Sequence, residues 1–501
     1  MGRVSILRST RAAKRRELTR CKSGVNAGCS RAIARPHYQK HNEGSRRRSA
    51  IVRSGVISDG TSIIESATAE APAEVLSTTV EAVTCCPPNE TSSLQASAGL
   101  NTGDGAWMMT STALVLAMNI PGLSMFYGGL VGRKNVLSIF TTCMALTCFL
   151  SLIWFSFGYS LVFTEGTPFI GDLSKAFLNG VSSVSLTEAI PEPLFALFQC
   201  TFAVITPGLM IGAFAERMKF SAVCLFSLAF HFLVYLPFAH MVWGGGYLEG
   251  LGLLDFAGGI VVHLTAGAAA LLACIMVGPR KAGEQPPHNL PMCLTGTGLL
   301  WVGWFGFNAG SAVAANGQAA MAMVATQLAA AAAGTVWTLM DWIETGKPTA
   351  LGICCGVVAG LVCVTPGAGF VSPLGATIMG ALAGVVCRFF VLTIKHKFGY
   401  DDALDVWGVH GVGGLLGNEL TAIFGTTAFG GTEAVASVTK LFAVHTYASM
   451  LAIAWSMAVT FVILKVLDAT IGLRPSTVEE SKGLDSTDHG EIAYVDELVS
   501  A

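Results

Sequence analysis

Two histidines, His263 and His410, interrupt otherwise apolar stretches and are the residues whose type and place most favour chemistry. His263 lies in Asp255-Phe-Ala-Gly-Gly-Ile-Val-Val-His263-Leu-Thr-Ala-Gly and His410 in Asp405-Val-Trp-Gly-Val-His410-Gly-Val-Gly-Gly. An imidazole donates through one ring nitrogen and accepts through the other, so two in contact can share a proton along a dry passage. A histidine pair also suits haem or a metal held between helices, and spacing alone leaves both readings open. One buried histidine is as often a satisfied core residue; two at matching places weigh toward function. Aromatic residues gather around Phe198 and Phe202, at Trp243, and at Trp304, Phe305 and Phe307 ahead of Ser311. Taken singly these are ordinary bilayer anchors. As a cluster of ring faces beside a hydroxyl they would attract a small cation by about 0.5–2 kcal/mol per ring.

The elements that must position these residues emerge from composition. Hydrophobic residues make up 52% of the 501, charged residues 12%, and 57 are Gly. That is too little polar surface for soluble domains and indicates an all-α polytopic membrane protein, because irregular backbone is not tolerated against lipid. Runs free of Asp, Glu, Lys and Arg cover 105–132, 135–164, 193–215, 220–248, 256–279, 285–340, 348–387 and 441–464. A span needs about 20 apolar residues. Run 285–340 must therefore fold back, with a turn expected at Gly310–Asn316–Gly317, and run 348–387 divides near Thr365–Pro366–Gly367. With 404–428, apolar apart from Asp405 and Glu419, the sum is eleven helices. His263 then falls in the middle of the fifth and His410 in the tenth. Two five-helix halves of opposite orientation plus a final helix would form an inverted repeat, bringing the two imidazoles together at the midplane. Arg133–Lys134, Arg217–Lys219, Arg280–Lys281, Lys347 and Lys395–Lys397 all come after odd-numbered helices, which places the C-terminus inside and the residues before the first helix outside.

The net charge of −2 hides an asymmetry: residues 1–53 carry 15 Lys/Arg against Glu17 and Glu43. This Arg-rich, acid-poor segment resembles an organellar presequence, with a plain disordered tail as the alternative. It gives a basic extension at 1–100, a helical domain at 101–471 and an acidic tail at 472–501. Asn89–Glu90–Thr91 forms an N-x-S/T sequon on the predicted outer side. The cysteines show no metal-type spacing, and most sit inside apolar runs as small core- or lipid-facing groups.

From about residue 105 to 497 the chain resembles the ammonium transporter (Amt/Mep/Rh) family, closer to its Amt branch. The resemblance is carried by Ala106-Trp-Met-Met, Pro121-Gly-Leu-Ser-Met-Phe-Tyr-Gly-Gly-Leu, Thr201-Phe-Ala-Val-Ile-Thr-Pro, Gly212-Ala-Phe-Ala-Glu-Arg, Ala239-His-Met-Val-Trp-Gly-Gly-Gly, Gly303-Trp-Phe-Gly-Phe-Asn-Ala-Gly-Ser and the two histidine segments. It implies a homotrimer with one pore per subunit and no cofactor, metal or enzymatic activity. Phe202, Trp243 and Ser311, with Phe198 as a further aromatic, would line an external vestibule that recruits ammonium. Phe202 and Phe307 would stack below it as a gate, and His263 and His410 would line the lumen as a twin-histidine pair beside Trp304. Asp255 would be a buried carboxylate that organises backbone. Trp407 stands where many relatives carry Phe.

Ammonium or ammonia is the expected solute, with methylammonium as an analogue, in a lipid bilayer and with no nucleic acid involved. The segment Gly483-Leu-Asp-Ser-Thr487-Asp-His-Gly490-Glu-Ile-Ala-Tyr494 resembles the family's cytosolic tail, which rests on a neighbouring subunit, with Thr487 at a position phosphorylated in plant relatives. A kinase or other cytosolic regulator is the matching partner. A sensor and a haem or metal enzyme are the competing classes. The plasma membrane is the expected location, with a plastid or other organelle envelope as the alternative.

Overall fold

The computed structural model describes residues 99–495. The expectations for the basic extension and for Asn89 lie outside them. The described residues form a helical membrane bundle: α1 Thr102–Leu130, α2 Arg133–Phe163, α3 Glu192–Phe214, α4 Phe220–Gly250, α5 Gly259–Val277, α6 Leu290–Ala309, α7 Gly317–Thr345, α8 Ala350–Gly367 and α9 Pro373–Phe398. A wide-turn segment, Trp407–Gly411, runs into Val412–Phe424 to form α10, and α11 is Val438–Thr470. Among the described residues, ten helices are long and apolar enough to cross a membrane. Helix α10 is outside that set, and it carries His410, Asn418 and Glu419.

The helix starts are written in the sequence. Asn101, Asn289, Asn316, Thr349, Ser372 and Ser437 each turn a side-chain oxygen onto a backbone N–H of the first turn, relieving donors that have no partner in the helix. The expected fold-backs occur where placed: α6 ends at Ala309 and α7 begins at Gly317, while α8 closes in a tight turn at Thr365–Gly367. Short antiparallel pairs, β1 Gly166–Thr167 with β2 Ile170–Gly171 and β3 Leu186–Thr187 with β4 Ile190–Pro191, decorate the connection from α2 to α3.

One expectation needs correction. His263 is not in the middle of its helix but in the opening turns, because α5 begins only at Gly259. Gly258 there has φ 107°, a left-handed conformation that breaks the chain's approach, and Asp255 caps the first turn of α5. His410 likewise sits in the wide-turn opening of α10.

Helices α5 and α10 meet backbone to backbone. A methyl group added at Gly267 would lie 2.3 Å from the Cα of Gly411, so any larger residue would force the helices apart. After α11 the chain folds back on the basic end of the same subunit through α12 Thr477–Lys482 and α13 Leu484–Asp488. Asp485 accepts the N–H of Ser138 at 2.8 Å, and Asp488 accepts that of Phe220 at 2.8 Å. Leu484 donates its N–H to Asn135 at 2.8 Å.

Candidate functional site

The site is built around one contact. Nδ1 of His263 lies 3.2 Å from Nδ1 of His410 across 147 residues of sequence, with ring centroids 5.3 Å apart and planes 21° from parallel. Both side chains are buried. Since a hydrogen bond needs one donor and one acceptor, one ring carries its proton on Nδ1 and the other on Nε2. Nε2 of His263 has no hydrogen-bond partner among the described residues, which is uncommon for a buried polar atom.

The pair faces a cavity of about 10 Å³, on the order of one water-sized sphere, lined by Leu123, Phe126, Ile205, Leu209, Val262 and Leu300 among others. Trp304 stacks on His263 with centroids 5.4 Å apart and 19° between planes. Its indole N–H donates to Oγ1 of Thr365 at 2.9 Å, so the ring is held from both sides. Phe307 packs against both His263, at 5.9 Å, and Trp304, at 5.5 Å.

Above Phe307 the aromatic cluster continues. Phe202 and Phe307 stack at 4.3 Å and 29°, and neither is solvent-exposed. Phe198 meets Phe202 edge-on at 5.0 Å, and Trp243 does so at 5.9 Å. The indole N–H of Trp243 donates to the carbonyl of Asp255 at 2.8 Å. The Asp255 carboxylate accepts the N–H groups of Gly258, Gly259, Ile260 and Val261, at 2.6–3.3 Å. Its charge is thus spent on the positive end of α5, the helix that carries His263. Ser311 is half-buried in the turn after α6 and donates to the carbonyl of Phe307 at 2.9 Å. All the vestibule, gate and lumen residues named from the sequence therefore fall in one connected column. Thr487 does not; it lies in α13, donating to the carbonyl of Gly483 at 3.0 Å.

Sequence reasoning missed three histidines. His445 on α11 is buried, with its Nδ1 paired to the Asn418 carbonyl at 2.8 Å and its Nε2 accepting the Leu254 N–H at 3.3 Å. His231 and His240 are buried in α4, and His231 stacks on Tyr235 at 5.4 Å. The rule that singled out His263 applied to each of them equally. The apolar lining of the lumen carried no sequence signal at all, since a Leu facing a passage looks like a Leu facing lipid.

A larger cavity, about 460 Å³, opens at the basic end beside Glu216 and Arg280. Of the two arginines that line it, Arg280 pairs with Glu216 at 2.9 Å and with Asp401 at 2.7 Å, and Arg133 lies over the Tyr494 ring at 5.0 Å. The narrow histidine lumen, not this hollow, holds unsatisfied chemistry.

A sequence profile of the Ammonium Transporter Family matches residues 106–494. The ammonium transporter of Bacillus subtilis strain 168 is 46% identical over 406 residues, covering 79% of this chain and 99% of that one. That of Aquifex aeolicus strain VF5 is 45% identical over 404 residues, covering 79% and 94%. Among solved structures, Candida albicans Mep2 is 36% identical with a TM-score of 0.71, covering 77% of this chain and 88% of its own. A structure described as a sensor Amt protein gives a TM-score of 0.73 at 28% identity, covering 79% and 100%. With sequence, fold and extent in agreement over four-fifths of its length, the chain belongs to the Ammonium Transporter Family, a family of multi-pass membrane transporters and not of enzymes.

Proposed function

We propose that the protein moves ammonium nitrogen across a membrane by recruiting the cation at the aromatic mouth, removing a proton and passing ammonia through the histidine lumen. The observation that carries this reading is the 3.2 Å contact between His263 and His410 inside an apolar cavity of about 10 Å³ beneath a stacked ring pair. The solute is the one in the names of the relatives above, with methylammonium as its analogue.

The physics supports a deprotonation step. A bare ammonium ion in a dry lumen loses solvation worth on the order of ten kcal/mol or more. Ammonia is neutral and fits a passage one water wide. At the mouth, the faces of Trp243, Phe198 and Phe202 attract the cation, and the Ser311 hydroxyl offers it an acceptor. The released proton enters the imidazole pair at one Nε2, the Nδ1–H of that ring passes to the facing Nδ1, and a proton leaves from the second Nε2. Atoms and charge balance, and the tautomers end exchanged, so the rings reset before the next cycle. Phe202 and Phe307 part to admit the solute, Trp304 holds His263 in register, and Asp255 fixes the start of α5. Potassium has a similar size to ammonium but no proton to give up, so this step separates them where cation–π attraction cannot.

The same reading has eleven spans as two inverted halves plus α11, the aromatic mouth outside and the C-terminus inside, and a homotrimer with one pore per subunit. The domains run 1–100, 101–471 and 472–501. A phosphate on Thr487 would break its bond to Gly483 and place negative charge beside Asp485 and Asp488, loosening the tail. The plasma membrane is the proposed location.

The decisive experiment replaces both His263 and His410 by Ala and measures saturable, ammonium-selective current in oocytes or proteoliposomes. Loss of at least about 100-fold, with the protein still in the membrane, is the expected result. Unchanged transport would overturn the relay.

A further inference from the structure

The Ala106-Trp motif at the start of α1 has no place in the column of site residues, yet its neighbourhood controls the turn on which Ser311 sits. Asp104 and Trp107 lie three residues apart, on one face of α1. Oδ1 of Asp104, a buried carboxylate, accepts the N–H of Ala315 at 2.7 Å. Nε1 of Trp107 donates to the carbonyl of Ala309 at 3.3 Å. These bonds grip the turn between α6 and α7 at its two ends, with Ser311 between them.

The turn needs gripping. Val313 has φ 53°, a left-handed conformation unfavourable for a β-branched side chain and held only when the surroundings over-determine it. The turn also lies hard against α1: a methyl group at Gly310 would come within 2.8 Å of the Ser111 Cβ and 2.9 Å of the Phe198 ring. A shift of the turn would therefore move Ser311 with it.

We propose that Asp104 is a positioning residue for substrate recruitment: its carboxylate holds the turn between α6 and α7 so that the Ser311 hydroxyl faces the aromatic mouth. This rests on the recruitment role of Ser311 proposed above. The bond needs an acceptor oxygen, not a charge, so Asn in its place keeps the function and Ala does not.

The test measures methylammonium uptake in yeast lacking its own ammonium transporters, with the rate normalised to protein at the cell surface. Asp104→Ala is expected to raise KM by about five- to tenfold with the saturating rate within about twofold of wild type, as expected when a ground-state contact is lost. Asp104→Asn is expected to restore the wild-type KM to within about twofold. Combined with Ser311→Ala, Asp104→Ala should add nothing further, because both act through one hydroxyl. Should Asp104→Ala not reach the surface, Trp107→Phe removes the second bond alone and is expected to raise KM about twofold. An unchanged KM in Asp104→Ala, or in Trp107→Phe where that variant stands in, overturns the inference. So does an Asn variant as impaired as Ala, or a double variant clearly worse than Ser311→Ala. Those failures leave recruitment standing as long as Ser311→Ala itself raises KM. An unchanged KM in Ser311→Ala instead removes the recruitment role and this inference with it.

Discussion

The histidine lumen and the charged girdle at the basic end treat buried polar groups in opposite ways. In the lumen, His263 and His410 have one another and little else; among the described residues Nε2 of His263 is left without a partner. In the girdle almost everything is paired. Arg217, fully buried, donates to the carbonyls of Ala213, Ala215, Gly278 and Asp401, tying the ends of α3 and α5 to the approach to α10. Arg280 bridges Glu216 and Asp401, while Glu216 also accepts from Gly132 at 2.8 Å and Asn135 at 2.9 Å. Lys395 pairs with Asp405 at 2.5 Å. Satisfied charges hold helix ends in place; the unpartnered histidine nitrogen is free to bond whatever enters its cavity. The difference teaches where this molecule keeps its stability and where it keeps its reactivity.

That contrast breaks most readily at Arg280. Replacing it by Met removes the guanidinium that neutralises buried Glu216 and half-buried Asp401 and is expected to cost about 3 kcal/mol. The readout is thermal unfolding of detergent-purified protein; a midpoint within a degree or two of wild type would show that the girdle does not bear on stability.

Asp402 gives the next largest effect and a pH signature. It is 1% exposed, and burial, together with the neighbouring Asp405, pushes its carboxyl from 3.8 up to about 6. Its Oδ2 accepts the N–H of Trp407 at 2.7 Å at the start of α10. A carboxyl raised on folding favours the fold at low pH and loses that contribution as pH rises through the folded value. Stability should therefore decline between about pH 4 and 6, by up to about 3 kcal/mol. Asp402→Asn keeps the acceptor and should flatten this slope. A slope unchanged by that substitution would assign the titration elsewhere.

Within the lumen the expected stability effects are smaller although the functional ones are larger. His263→Ala alone removes the bond to His410 and the ring contacts with Trp304 and Phe307 and should cost about 2 kcal/mol, less than the loss at Arg280, yet it should abolish selective transport. Equal, large losses of stability at His263 and Arg280 would erase the distinction between the two regions. The smallest effect belongs to Thr487→Ala, which removes one bond to Gly483 on a tail held at several other points and should change stability by about 0.5 kcal/mol. Thr487→Asp tests the tail as a switch separately: wild-type transport rates in that variant would count against it.

Most of the helices, both fold-back turns, the two histidines and the ring cluster were legible from residue types, while Asp255 came only with the family resemblance. Hydrophobic runs record which segments leave water, and Asn, Ser and Thr at the run edges mark where helices start. The girdle was misread. Arg217, Arg280 and Lys395 entered only as loop charges biasing orientation, yet all three are buried and bonded. A loop arginine in a sequence looks the same whether it faces water or a carboxylate brought from 121 residues away, as Arg280 faces Asp401. His445 met the same rule as His263 in run 441–464 and was passed over; what the sequence hid was its partners, which come from α10 and the segment before α5.

By itself the sequence determined that the chain folds as membrane helices, where they turn back, and which rare polar side chains sit among apolar ones. These are local properties of hydropathy and capping, read over a few turns at a time. Tertiary structure alone decided that His263 and His410 touch, that Phe202 covers Phe307, and that the cavity beside the histidines is about 10 Å³. The histidine contact depends on the close approach of α5 to α10, where Gly267 leaves no room for a methyl group against Gly411, a fit that hydropathy and capping do not record.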